Sequence, residues 1–232
     1  MKHLATGLLL IASLGLSACA TGGRESQQSP LFSAGTALAN SIRSRAATDG
    51  APKGRIEVTR ELLDKTPGAV LQVVPDNTGL QDFLQLVGRR NDPTPGTVEV
   101  WQSSDNAQII LREGVLVGTK GLTGDMRSAQ AATTIAGFDG QGGGGERLIT
   151  LARLDGTAQT VPFSCDVTQL GREVIQIVDQ RVTTHHLRED CSFGAQRFTN
   201  EYWVEAVSGK MRRSRQWAGP YYGYMMIDRL KG

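Results

Sequence analysis

The residues best suited to chemistry lie near the carboxyl end of the chain: Trp203, Arg212, Arg213, Arg215, Trp217, Tyr221 and Tyr222. Sugar rings stack their apolar faces on aromatic planes, and arginine forks hold carboxylates or phosphates in bidentate fashion. A groove presenting both would bind an acidic polysaccharide. A plainer reading also fits: the tryptophans belong to the core, and the arginines lie over them with stems packed and heads in water. Other candidate sets carry less. His185 and His186 stand near Asp190 and Cys191, but neighbours on a strand point to opposite faces and do not reach one ion, so no metal or other cofactor is expected. Ser164 lacks a G-x-S-x-G setting. Glu189 with Asp190, or Glu201 with Glu205, would serve glycoside hydrolysis only if the fold set the two carboxyl groups at the right separation. No catalytic residue is assigned, and the chain is expected not to be an enzyme.

The elements that must position the aromatic and basic set are strands. Tyr202 to Val207 alternates, Ser208-Gly209 supplies the positive φ that a tight hairpin demands, and Met211 to Trp217 returns antiparallel. Pro220 breaks the ladder, and Tyr222 to Leu230 resumes as a third strand. On the return strand Met211, Arg213, Arg215 and Trp217 share one face and Arg212, Ser214 and Gln216 the other, so whichever face meets the core must bring polar groups with it.

Upstream, Val58 to Leu63 reads as a strand end running into one helical turn. Turns at Pro67-Gly68 and Asp76 to Gly79 set off Ala69 to Val74 and the apolar Leu80 to Val87, and Val98 to Trp101, Ala107 to Leu111 and Gly114 to Gly118 follow as three short strands. Arg147 to Arg153, Thr157 to Phe163, Glu173 to Asp179, Gln180 to His186 and Phe198 to Val207 are further extended segments. Such even spacing predicts a mainly β protein, an antiparallel meander forming one barrel-like domain or two β modules. Gly142 to Gly145 is followed by Glu146-Arg147 where a phosphate loop would carry Lys-Ser/Thr. The stretch 137–145 is therefore expected to be a flexible loop or a module boundary.

A net charge of +2 is too small to point to nucleic acid, and 28 glycines between short apolar runs favour turns and strands over a helical bundle. The amino end sets the compartment. Met1-Lys2-His3 and the apolar run Leu4 to Leu16 form a secretory signal, ending at Leu16-Ser17-Ala18-Cys19, which resembles a bacterial lipobox. Residues 1–18 are then a signal peptide, Cys19 the lipidated first residue, 19–30 a polar tether and 31–232 the folded body. Leu31 to Arg45 carries helical spacing at Leu31, Ala34, Leu38 and Ile42, which predicts a short amphipathic helix. Acyl chains on Cys19 contribute roughly 0.8 kcal/mol of membrane affinity per buried methylene. Ala20 after the cysteine points to the outer membrane, periplasmic face. In that oxidising compartment Cys165 and Cys191 are expected to form a disulfide worth about 3 kcal/mol, with two buried free thiols as the alternative.

The lipobox, Ile56-Glu57-Val58-Thr59-Arg60, Gly114 to Gly118 running into Gly121-Leu122-Thr123-Gly124-Asp125-Met126, Tyr202-Trp203, and Ser214-Arg215-Gln216-Trp217 with Gly219-Pro220 together resemble the YjbF family. These are envelope lipoproteins of the GfcB or YmcC type, found with capsule and exopolysaccharide operons. The resemblance spans about Leu31 to Leu230. It implies a mostly β, barrel-like fold and a part in polysaccharide production or export, and it supplies no catalytic residues. The cysteine pair and the stretch 137–145 are not part of its pattern. The expectation is an outer-membrane lipoprotein that binds the polymer or its export machinery through Trp203, Arg212, Arg213, Arg215, Trp217 and Tyr221. An envelope hydrolase acting on the same polymer, or a purely structural scaffold, are the alternatives.

Overall fold

The computed structural model describes residues 57–139 and 142–232. The signal peptide, Cys19, the tether and the helix expected at Leu31 to Arg45 lie outside the described residues. The first described element is α1 (Arg60–Lys65), one and a half turns opened by Thr59, whose hydroxyl accepts from Leu62 N at 3.3 Å. It turns a single residue, Leu63, into the protein.

Twelve strands follow: β1 (Val70–Pro75), β2 (Asp82–Arg90), β3 (Val98–Gln102), β4 (Gln108–Arg112), β5 (Val115–Lys120) and β6 (Met126–Ala129) come before the short helix α2 (Ala132–Ala136). After it run β7 (Gly143–Ala152), β8 (Ala158–Ile177), β9 (Gln180–Phe193), β10 (Gln196–Glu205), β11 (Met211–Trp217) and β12 (Tyr224–Lys231). They form a single antiparallel sheet in the order β5-β4-β3-β2-β1-β12-β11-β10-β9-β8-β7-β6. Nearly every strand pairs with its neighbour in sequence. The exception, β1 with β12, joins the two ends of the meander and leaves the opening of a nearly closed barrel between β5 and β6.

That opening is tied by side chains. Asp125 accepts from Gly121 N and Leu122 N, each at 2.9 Å, and from the Thr119 hydroxyl, which itself accepts from Met126 N at 2.9 Å. The Gly121-to-Met126 turn thus stitches one rim strand to the other. The main core fills the barrel with Leu71, Trp101, Leu111, Phe163, Phe198 and Met225 among others. The expected disulfide is present: Cys165 and Cys191 sit opposite each other on β8 and β9 with Cα atoms 4.1 Å apart.

Two local expectations change. Gly143 to Gly145 open strand β7 and pair with β8 instead of looping out. Close packing requires the glycines: a Cβ on Gly144 would stand 2.5 Å from the Cys165 carbonyl oxygen, and one on Gly143 would stand 2.7 Å from Gly137 Cα beyond α2. The segments expected as two strands at 157–163 and 173–179 are one strand, β8, bent at Gly171 (φ 125°), where the pairing with β9 shifts register. The bend carries the β8–β9 tip over the outside of the sheet. There Ile175, Ile177 and Val182 join Leu63, Val70, Trp203 and Leu230 in a second apolar cluster, and Arg60 binds Asp179 at the tip through Nη2 at 2.9 Å.

Candidate functional site

The aromatic and basic stretch forms the expected hairpin and third strand. Tyr202 pairs with Ser214 and Trp203 with Arg213 across β10 and β11, Gly209 turns at φ 69°, and Ser214 pairs with Ile227 across β11 and β12. The alternation resolves the question of faces. Ser214 and Gln216 are buried against the barrel interior, whereas Arg213 and Arg215 lie half-buried on the outside. Polar residues turn inward because the interior offers them partners. Gln216 accepts from Leu116 N at 2.7 Å and donates to Gly114 O at 2.8 Å, so a β11 side chain pairs with backbone groups of the rim strand β5.

The outer row is not a continuous groove. Arg213 binds Asp228 through Nε at 2.6 Å and Nη2 at 2.9 Å, and this pairing holds its guanidinium above the ordinary arginine value. Arg215 binds Asp76 through Nε at 3.0 Å and Nη2 at 2.5 Å and lies 4.0 Å over the Tyr224 ring. Trp203 is buried under the β8–β9 tip, stacked on His186 at 4.4 Å, with its indole N–H donating to Glu173 at 2.8 Å. Trp217 stacks on Phe198 at 4.5 Å against the main core. Tyr221 is exposed and rests on Gly124, where any Cβ would stand 2.4 Å from its ring. Gly219 lies 3.5 Å from the Gly124 carbonyl by the same measure, so the Gly121-to-Met126 turn and the Gln216-to-Pro220 segment touch. Tyr222 is half-buried, and burial pushes its hydroxyl above the usual tyrosine value. The tryptophans are therefore packing residues, and the two outer arginines make no hydrogen bond through Nη1 among the described residues.

Sequence reasoning missed a buried polar centre. Glu189, weighed as a catalytic carboxylate, is fully buried inside the barrel. It accepts from Thr134 Oγ1 at 2.5 Å, Arg147 Nη1 at 2.8 Å, Asn200 Nδ2 at 2.7 Å and the Tyr202 hydroxyl at 2.7 Å. Arg147 also donates to Gln130 O and Leu116 O, at 2.8 and 2.9 Å. Burial, and the Glu189 charge beside it, push the Tyr202 hydroxyl well above its usual value, which keeps it a donor. Asn200 and Tyr202 alternate in phase with Ser214 and Gln216 on the adjoining strand, the one sequence signal that could have located this centre. Of the other carboxylates weighed, Asp190 binds Arg188 and the Thr199 hydroxyl, and Glu201 faces His186.

A cleft of about 390 Å³ opens where the β10–β11 hairpin meets the β3–β5 end of the sheet, bounded by Arg89, Glu99, Glu113, Lys210, Met211 and Arg229. Its floor is ordered. Arg229 Nη2 donates to Glu99 at 2.6 Å and its guanidinium lies 5.1 Å from the Trp101 ring centre, while Arg89 Nε and the Trp101 indole N–H reach the same carboxylate at 3.1 and 3.2 Å. Burial works against ionisation of Glu99, yet Arg229 and Arg89 hold it below its usual value. Glycoside hydrolysis needs one carboxyl to stay protonated near neutral pH, which Glu99 does not offer. Gly114 makes the wall possible: with φ 85°, its Cβ position falls 2.4 Å from Met211 Cβ. No metal set stands here. The one clustered group of ligand types among the described residues, Cys165, Glu189 and Cys191, has both thiols in the disulfide.

The family model described as "Group 4 capsule polysaccharide lipoprotein gfcB, YjbF" matches residues 31–230. No curated protein matches the chain. Among solved structures, the crystal structure of the hypothetical lipoprotein YmcC from Escherichia coli (K12) superposes with a TM-score of 0.65 at 19% sequence identity, covering 89% of this chain and 98% of that one. That likeness concerns the fold.

Proposed function

The chain belongs to the YjbF family of group 4 capsule polysaccharide lipoproteins, and on that premise we propose that it is an outer-membrane lipoprotein that assists capsule or exopolysaccharide export by holding the acidic polymer. The family places it in the bacterial envelope among lipoproteins tied to capsule polysaccharide. The finer reading is ours: signal peptide 1–18, acylated Cys19, tether 19–30, and a β body from residue 31 held at the periplasmic face. Mass spectrometry of the membrane-extracted protein should find an acylated Cys19 as its first residue; an unmodified amino terminus would remove the anchor.

One observation supports polymer contact most directly. Arg213 and Arg215 stand side by side in register on the outer face of β11, each braced by one carboxylate and each with Nη1 free among the described residues. A braced guanidinium has already lost much of its rotamer freedom, so a polymer carboxylate meets an oriented donor. Tyr221, exposed beside them in sequence, offers a ring for stacking. Arg212 points the other way and Trp203 and Trp217 are packed, so these three position the strand pair and do not contact the chain of sugars through this face. No catalytic step is assigned. Purified protein should be retained on an immobilised acidic polysaccharide, and Arg213→Ala with Arg215→Ala should weaken that retention several-fold; unchanged retention would overturn direct binding through this face.

A further inference from the structure

Inside the Glu99 cleft the charges are unevenly matched. Arg89 and Arg229 share Glu99, whereas the Lys210 ammonium has no ion-pair partner among the described residues. Arg212 stands outside this cleft: it lines a separate void of about 10 Å³, where its buried Nε meets no acceptor among the described residues. Glu113 lines the same cleft as Lys210. Its Oε1 accepts from Thr97 N at 2.6 Å, and its backbone is held at φ 47°, a left-handed conformation that glutamate seldom adopts, in the turn with Gly114.

We infer that this cleft is a subsite for one acidic sugar residue, whose carboxylate is held by Lys210 and whose ring hydroxyls donate to Glu113. The mixture of charges selects the class. An inorganic anion would meet the Glu99 and Glu113 carboxylates unfavourably, and a neutral sugar would leave Lys210 unused. A sugar carrying both hydroxyls and a carboxylate satisfies both sides. The volume, about 390 Å³, suits a small ligand, near the lower end of the roughly 300–1,000 Å³ typical of such sites. The strained Glu113 backbone also has a reason here: it carries the acceptor to the cleft where Asn or Gly would suit the turn better.

The inference rests on the reading of polymer binding above but is tested separately, by titrating glucuronate, glucose and inorganic phosphate into the purified full chain in detergent by calorimetry. Glucuronate should bind saturably, and glucose and phosphate at least about tenfold more weakly, the factor expected from one charge-assisted contact. Lys210→Ala and Glu113→Asn should each weaken glucuronate about tenfold, with Glu113→Asn raising the thermal midpoint because it relieves the turn. Absence of glucuronate binding, equal binding of glucose or phosphate, or wild-type affinity in Lys210→Ala would overturn the subsite. Failure of the unmutated protein to be retained on the acidic polysaccharide, with glucuronate binding intact, would overturn the functional reading and leave the subsite standing.

Discussion

The Glu189 centre and the Glu99 cleft are both built from a carboxylate gripped by arginine, and they differ in what is left over. Around Glu189 the carboxylate has four donors, and the Arg147 guanidinium is divided between Glu189 and two backbone carbonyls. Around Glu99 two arginines share one carboxylate, and Lys210 in the same cleft has no ion-pair partner among the described residues. A closed ledger of donors and acceptors deep in a barrel does structural work: it joins β5, α2, β7, β9 and β10 across the place where the sheet fails to close. An open ledger at the barrel mouth is a demand for a ligand. The same residue types therefore serve opposite ends, and completeness of pairing together with access to solvent tells them apart.

Breaking the closed centre should have the largest effect. Glu189→Ala would strand Arg147 in the interior and cost about 3–5 kcal/mol, read as a lower denaturant midpoint or failure to fold; a loss under about 1 kcal/mol would mean the centre is not structural. Replacing Cys165 and Cys191 together by alanine, next to Glu189 on β8 and β9, should cost about 3 kcal/mol by the same measurement. Gln216→Leu keeps side-chain volume but leaves Leu116 N and Gly114 O unpaired, costing about 1–3 kcal/mol. At the open cleft, Lys210→Ala should shift the midpoint by less than about 0.5 kcal/mol, since it removes an exposed group with no ion-pair partner among the described residues. The smallest effect is one of pH. Glu99 has a folded value held below its unfolded value near 4.5, so its contribution is fully present above that pH and fades as the pH falls through the lower folded value. Glu99→Gln should flatten this part of the acid limb of the stability curve, and an unchanged limb would show that Arg229 and Arg89 do not hold the carboxylate as described.

Much of this architecture was legible in the sequence because it is local. The Tyr202-to-Trp217 hairpin follows from alternation and the Ser208-Gly209 turn, the stop at Pro220 from its missing N–H, and the Cys165–Cys191 bond from compartment and parity. What was not legible depends on closure. Whether Ser214 and Gln216 or Arg213 and Arg215 face inward is decided by the pairing of β1 with β12, elements separated by nearly the whole described chain, and no local pattern encodes it. Glu189 is a plausible catalytic carboxylate until Arg147, Asn200 and Tyr202 arrive from other strands. The glycines at Gly143 to Gly145 resemble a loop in sequence because the cause of their small size, the close approach of α2 and of β8, is likewise a tertiary fact. For the candidate site the residue types were informative and their grouping was not: Arg213 and Arg215 belong to an outer row, Arg212 to the interior, and Glu99, Glu113 and Lys210 joined it only through the fold.

Salt-dependent retention of the purified lipoprotein on matched acidic and neutral polysaccharide matrices bears most directly on the central claim. The account predicts retention on the acidic matrix that falls as salt screens the arginine contacts, with passage straight through the neutral one. Equal behaviour on both matrices, whether bound or unbound, would contradict it.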